Sequence, residues 1–108
     1  MMEIESMSQI CYVIINSAWP DYVKIGFTSK SEMTERLRTY QTATPFRDFE
    51  VYHEVYFDDA RLAEKEIHKR LKQMNAIRQP NTEWFKMSKK IAANIIDSIR
   101  DDMDNDML

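Results

Sequence analysis

Short apolar runs alternate with longer amphipathic stretches, and the two periods predict different elements. Ile10 to Asn16 (ICYVIIN) is β-branched and apolar, which predicts a buried strand. Ser17 to Asp21 reads as a turn around Pro20. Tyr22 to Thr28 (YVKIGFT) then alternates as a second strand, and the short gap predicts an antiparallel hairpin. Ser31 to Gln41 reads as a helix capped by Ser31, with Met33, Leu37 and Tyr40 at helical spacing. Phe49 to Phe57 (FEVYHEVYF) predicts a third strand. Strict alternation puts Phe49, Val51, His53, Val55 and Phe57 on one face and Glu50, Tyr52, Glu54 and Tyr56 on the other.

Asp58 or Asp59 opens a long helix reaching about Met74, with a stripe of Ala60, Ala63, Ile67, Leu71 and Met74. Asn75 to Thr82 is a polar loop containing Pro80, and Glu83 to Met87 (EWFKM) is a short extended segment. Ser88 caps a last helix with a stripe of Ile91, Ile95 and Ile99. The order β-β-α-β-α-β-α predicts an α+β domain with a small, mainly antiparallel sheet. Residues 1–9 form an N-terminal extension, 10–100 a single domain, and 101–108 an acidic tail expected to be frayed or disordered.

Composition narrows the class. With 108 residues, 44% hydrophobic and 31% charged, the chain has enough apolar surface for one small core and is too apolar for a disordered segment. No apolar run is long enough to span a bilayer, so no membrane partner is expected. Met1 to Gln9 carries Glu3 and Glu5 and no basic region, unlike a secretory signal. Cys11 is the only cysteine, which excludes a disulfide framework and a cysteine zinc site and fits a reducing, cytoplasmic compartment. There is a single glycine, Gly26, where about 7% is usual, so that position calls for a positive φ or a close backbone approach. Net charge is −3, yet Asp97, Asp101, Asp102, Asp104 and Asp106 stand against Arg100 alone after residue 90. The preceding 90 residues are almost neutral, so the overall balance describes the tail rather than a binding face.

Candidate chemistry rests on Tyr12, Lys24, Thr28, Arg36, Arg38, Glu64, His68 and Glu83. Lys24 interrupts an apolar strand two residues before Gly26, as an edge charge or as a site cation. Glu64 and His68, four apart, project from one side of a helix, as a surface contact or as a carboxylate offering oxygen to a hard divalent cation. Lys65, Lys69, Arg70, Lys72 and Arg78 form a basic run, as a solvated face or as a track for phosphates.

Taken together and in order, Tyr12-Val13-Ile14, Lys24-Ile25-Gly26, Arg36, Ala63-Glu64 with His68, and Glu83-Trp84-Phe85 resemble the GIY-YIG endonuclease superfamily. The likeness is to its small, phage-associated branch with KIG in the second motif, and it covers roughly Ile10 to Met87. Cys11-Tyr12-Val13 stands where the superfamily has Gly-Ile-Tyr, Lys24 stands where it has tyrosine, and Asn81 is the loose counterpart of a late asparagine. The resemblance implies a three-stranded antiparallel sheet flanked by helices. It implies a nuclease using one divalent ion, Mg²⁺ or Mn²⁺, held by Glu64. Tyr12 would then activate water, Lys24 and Arg36 would stabilise charge on phosphate, and His68 would orient Glu64 or a water. Gly26 would keep the strand end clear of substrate, and Arg38, Lys65, Lys69, Arg70, Lys72 and Arg78 would contact DNA.

The function expected on these grounds is a metal-dependent DNA endonuclease of phage or mobile-element type, in a bacterial host cytoplasm if phage-encoded. The alternative is a DNA-binding or regulatory module on the same fold with its catalytic step lost. A chain this short leaves little surface for reading sequence, so a homodimer or a protein partner is expected to supply specificity. A third possibility is a protein-interaction role in which the acidic end docks on a basic partner or shields the protein's own DNA face.

Overall fold

The strands β1 (Gln9–Asn16) and β2 (Tyr22–Thr28) form the expected antiparallel hairpin, in register from Ile10 opposite Thr28 to Ile14 opposite Lys24. Its turn is closed by backbone bonds from Trp19 N–H to Asn16 O and from Tyr22 N–H to Trp19 O, and the Asn16 side chain accepts from Ala18 N–H at 2.8 Å. The computed structural model describes residues 9–29 and 49–108. The helix expected over Ser31 to Gln41, with Arg36 and Arg38, lies outside the described residues.

β3 (Phe49–Phe57) pairs with the other side of β1. After the helix α1 (Ala60–Gln73) come β4 (Ile77–Arg78) and β5 (Trp84–Lys86), and the helix α2 (Lys89–Asp104) closes the chain. The class is α+β as expected, but among the described residues the antiparallel sheet has five strands in the order β3-β1-β2-β5-β4 rather than three. β5 lies along the edge of β2, with Val23 opposite Phe85 and Lys24 opposite Trp84. β4 arises inside what reads as a polar loop. β5 falls within the expected extended segment Glu83 to Met87, whereas β4, at two residues, is too short to show a period and is revealed only by its pairing.

β3 departs from strict alternation. Its register against β1 slips between Val13 and Ile14: His53 faces Val13, whereas Val51 faces Ile14. The extra residue, Tyr52, is a bulge that reverses the faces on either side of it. Val55 and Phe57 join the core beneath the helices, while Phe49 and Val51 pack with Ile10, Tyr12 and Ile14 on the opposite face. The five residues expected on one face are therefore divided between two.

The main core joins Cys11, Val13, Val23, Ile25 and Phe85 of the sheet to Ala63, Ile67 and Leu71 of α1 and to Ala92, Ile96 and Ile99 of α2. The α1 stripe matches its expected members except Met74, the exposed C-cap. The α2 stripe is rotated from the expected Ile91, Ile95 and Ile99: Ala92, Ala93, Ile96 and Ile99 are buried and Ile91 is exposed. Asp59 caps α1 by accepting from Leu62 N–H, and Ser88 caps α2 by accepting from Lys90 and Ile91 N–H.

The acidic end is ordered further than expected, with helix continuing to Asp104. Arg70 of α1 reaches across to Asp102 at 2.6 Å and to Glu66 at 3.2 Å, and Met103 packs on the core. Asp102 is thus a fastening between helices rather than part of a solvated tail.

Candidate functional site

Tyr12 and Gly26 are cross-strand partners on the sheet face away from α1 and α2. That pairing explains the solitary glycine. A Cβ on Gly26 would stand 2.5 Å from Tyr12 Oη and 2.7 Å from both Tyr12 Cζ and Glu83 Oε1, far inside contact distance. Gly26 does not have a positive φ and lies within β2 rather than at its end. The room it leaves is taken by a phenol and a carboxylate, where the motif reading expects a clearance for substrate.

Lys24, two residues earlier on the same face, places Nζ 3.3 Å from Glu83 Oε1. Its side chain is 15% exposed against 50% for Glu83, and Tyr12 is fully buried. The result is a layered cluster: phenol beneath, ammonium at the rim and carboxylate outermost. A tight turn puts Glu83 there. Pro80 and Asn81 occupy its centre, Thr82 N–H returns to Gln79 O, and Asn81 takes φ 62°. Asn81 therefore works through backbone conformation. Ile25 N–H donates to Glu83 O at 3.1 Å, which locks the turn to β2 beside Gly26.

Glu64 and His68 lie together on α1, with Oε2 and Nε2 3.8 Å apart and both side chains about half exposed. At 100° per residue they flank one border of the buried stripe, while Glu66 and Arg70 flank the other. Arg61, Lys65, Lys69 and Lys72 form an exposed basic rail next to Glu64. Arg70 differs from this rail because Asp102 and Glu66 engage it, and their hydrogen bonds raise its pKa. Arg78 is exposed on β4. His53, read on one face with Phe49, Val51, Val55 and Phe57, is half-buried and meets Asp97 at 2.7 Å, tying β3 to α2. Arg61 and the aromatic residues Trp19 and Phe49 carry no local sequence signal that separates them from ordinary surface or core residues.

Among the described residues, no group of three or more His, Cys, Asp or Glu side chains can hold a metal ion. A hard cation of the Mg²⁺ kind keeps several waters and takes one or two carboxylates besides substrate phosphate, and Glu64 is an accessible carboxylate of that kind.

Cys11 lies on the helix side of β1, fully buried in the main core. Burial first, then the negative charges of Glu64 and Glu83, push its thiol well above its ordinary range. Glu64, on α1 at the helix side of the sheet, and Glu83, beside Tyr12 and Lys24 on the other face, come from distant segments and both bear on Cys11. A thiol whose folded pKa is raised stabilises the fold fully below its unfolded pKa. Stability should then fall above about pH 8.5, by up to about 1.4 kcal/mol per pH unit. Urea denaturation between about pH 8 and about pH 10 measures this slope, and Cys11→Ala is expected to flatten it. Equal slopes in the two proteins would contradict the placement of the thiol.

Residues 9–100 match the family model of the T5orf172 domain. Neither a curated protein nor a solved structure matches the chain. The family match corrects the resemblance to the GIY-YIG superfamily. The strings behind that resemblance are short, and the pairing of Tyr12 with Gly26 is accounted for by packing across a hairpin. Among the described residues no helix is long and apolar enough to cross a membrane.

Proposed function

The chain belongs to the T5orf172 domain family, which is phage-associated and nuclease-like, and on that premise we propose that it is a DNA endonuclease assisted by one divalent cation. The observation that carries this reading is the layered cluster of Tyr12, Lys24 and Glu83 over Gly26. Lys24 sets a cation where a backbone phosphate can approach, and its charge offsets the negative charge that builds on phosphorus during attack. Glu83, the exposed member, takes the proton of the attacking water as the new P–O bond forms and the bond to the leaving oxygen breaks. Tyr12 lies too deep to touch substrate and serves as a positioning residue that backs Glu83. Glu64, with His68 beside it, would hold Mg²⁺ or Mn²⁺, which when bound supplies Lewis-acid stabilisation of phosphate charge. Arg36 and Arg38 belong to the same proposal as phosphate contacts.

The basic rail supports a DNA-tracking role for Lys65, Lys69 and Lys72. Replacing all three by alanine is expected to weaken binding about equally for every sequence. It should also lower the slope of log affinity against log salt by about 0.9 for each phosphate that is no longer neutralised. An unchanged slope in a salt titration would remove the rail from the interface. The full burial of Tyr12 favours a second reading, a DNA-binding module without cleavage.

Supercoiled plasmid incubated with the protein and Mg²⁺ or Mn²⁺ decides between them. Nicked or linear product that disappears on chelation is the expected result. Plasmid that is bound and stays intact with either metal would overturn the nuclease reading in favour of the second.

A further inference from the structure

Beside Lys24 the sheet carries an aromatic cluster with no part in the proposed chemistry. Trp19, in the β1–β2 turn, meets Trp84 edge-on at 5.7 Å and 81°, and Phe49 closes the triangle at 6.2 Å from Trp19 and 6.3 Å from Trp84. The bulge in β3 brings Phe49 to this face. The cluster is not sealed: Trp19 remains 49% exposed. In front of it lies a hollow of about 310 Å³ lined, among the described residues, by Trp19, Tyr22, Gln79 and Trp84. Gln79 Nε2 donates to Tyr22 Oη at 3.1 Å, which pins the amide on the rim.

We propose that this hollow receives one unpaired nucleobase of a DNA strand, with Lys24 on a neighbouring phosphate. The inference rests on the DNA reading above and adds the state of the substrate to it. The occupant is argued from the chemistry of the walls. Indole faces stack on any base, and stacking on exposed aromatics is how single strands are held without regard to sequence. An amide carries two N–H donors and a carbonyl, so a bond to Tyr22 leaves Gln79 capacity for the polar edge of a base. Lys24 is the cross-strand partner of Trp84, which sets a cation beside the stacking wall. A base within duplex is stacked on both faces and paired at its edge, so it cannot enter. Only a base from a single strand, or one turned out of a duplex, fits.

The chain has two tryptophans, and both line the hollow, so intrinsic fluorescence reports its occupancy directly. The full-length protein is titrated with a single-stranded oligodeoxynucleotide, the same strand made abasic, an intact duplex, and a duplex with one bulged base. Quenching is expected with the single strand or the bulged duplex, according to the source of the base, and not with the abasic strand. The base-bearing form should bind about 5- to 150-fold more tightly than its base-free counterpart. Trp19→Ala is expected to abolish that preference while leaving abasic-strand binding unchanged. Gln79→Ala, on the same rim, should reduce the preference and serves as the second variant if Trp19→Ala does not fold. Equal affinity for base-bearing and abasic strands, unaffected by either substitution, would overturn the base site and leave the DNA reading standing. Absence of binding to every DNA form at low salt would overturn both.

Discussion

Gly26→Ala is expected to lower the thermal midpoint by on the order of 5–15 °C, from about 1–3 kcal/mol of overpacking. The added methyl would sit 2.5 Å from Tyr12 Oη and 2.7 Å from Tyr12 Cζ, on a ring that is fully buried on an interior strand, β1. Glu83 is also in the way at 2.7 Å, but its half-exposed carboxylate can swing aside at little cost. The buried ring has no such freedom, so it has to leave its rotamer or push the strands apart. Gly26 does not have a positive φ, so the penalty is steric rather than conformational. Tyr12→Phe, which deletes the nearest atom, should therefore recover part of the loss in the double variant. Thermal melting followed by circular dichroism measures both effects. A midpoint for Gly26→Ala within about 2 °C of wild type, the scale of a neutral surface change, would contradict the close approach.

The parts of this fold that local pattern expresses were legible. Ile10 to Asn16 and Tyr22 to Thr28 are long enough to show a period, and their pairing followed from the short turn. The stripe of α1 and the caps Asp59 and Ser88 are likewise local features. What escaped depends on distant partners. β4 exists only because the edge of β5 accepts it, and the bulge at Tyr52 exists only against β1. The helical stretch after Arg100 reads as an acidic tail until Arg70 is placed opposite Asp102.

The site divides in the same way. Tyr12 and Lys24 stand out because polar groups interrupt apolar strands, and Gly26 stands out by its rarity. Glu83 becomes their neighbour only through the Pro80-Asn81 turn, and Trp19 meets Trp84 only through the β2–β5 pairing.

Glu64 is where the proposed chemistry is most exposed to test. It is an accessible carboxylate with His68 at 3.8 Å, and no group of three or more potential ligands among the described residues can take over its role. A cation held by one carboxylate, water and phosphate loses its protein anchor when that carboxylate is removed. Glu64→Ala is therefore expected to reduce cleavage by about 100-fold or more, the scale seen when a group stabilising transition-state charge is deleted. DNA affinity should change little, because the basic rail and Lys24 remain. Glu64 is half exposed at the border of the α1 stripe, so the fold should also survive the change. The most direct measurement sets wild type and Glu64→Ala side by side on supercoiled plasmid with Mg²⁺ or Mn²⁺, with binding measured in parallel. Nicking by wild type that is lost in Glu64→Ala while binding persists is the result expected. Cleavage that survives Glu64→Ala undiminished would contradict the assignment of the metal to this helix.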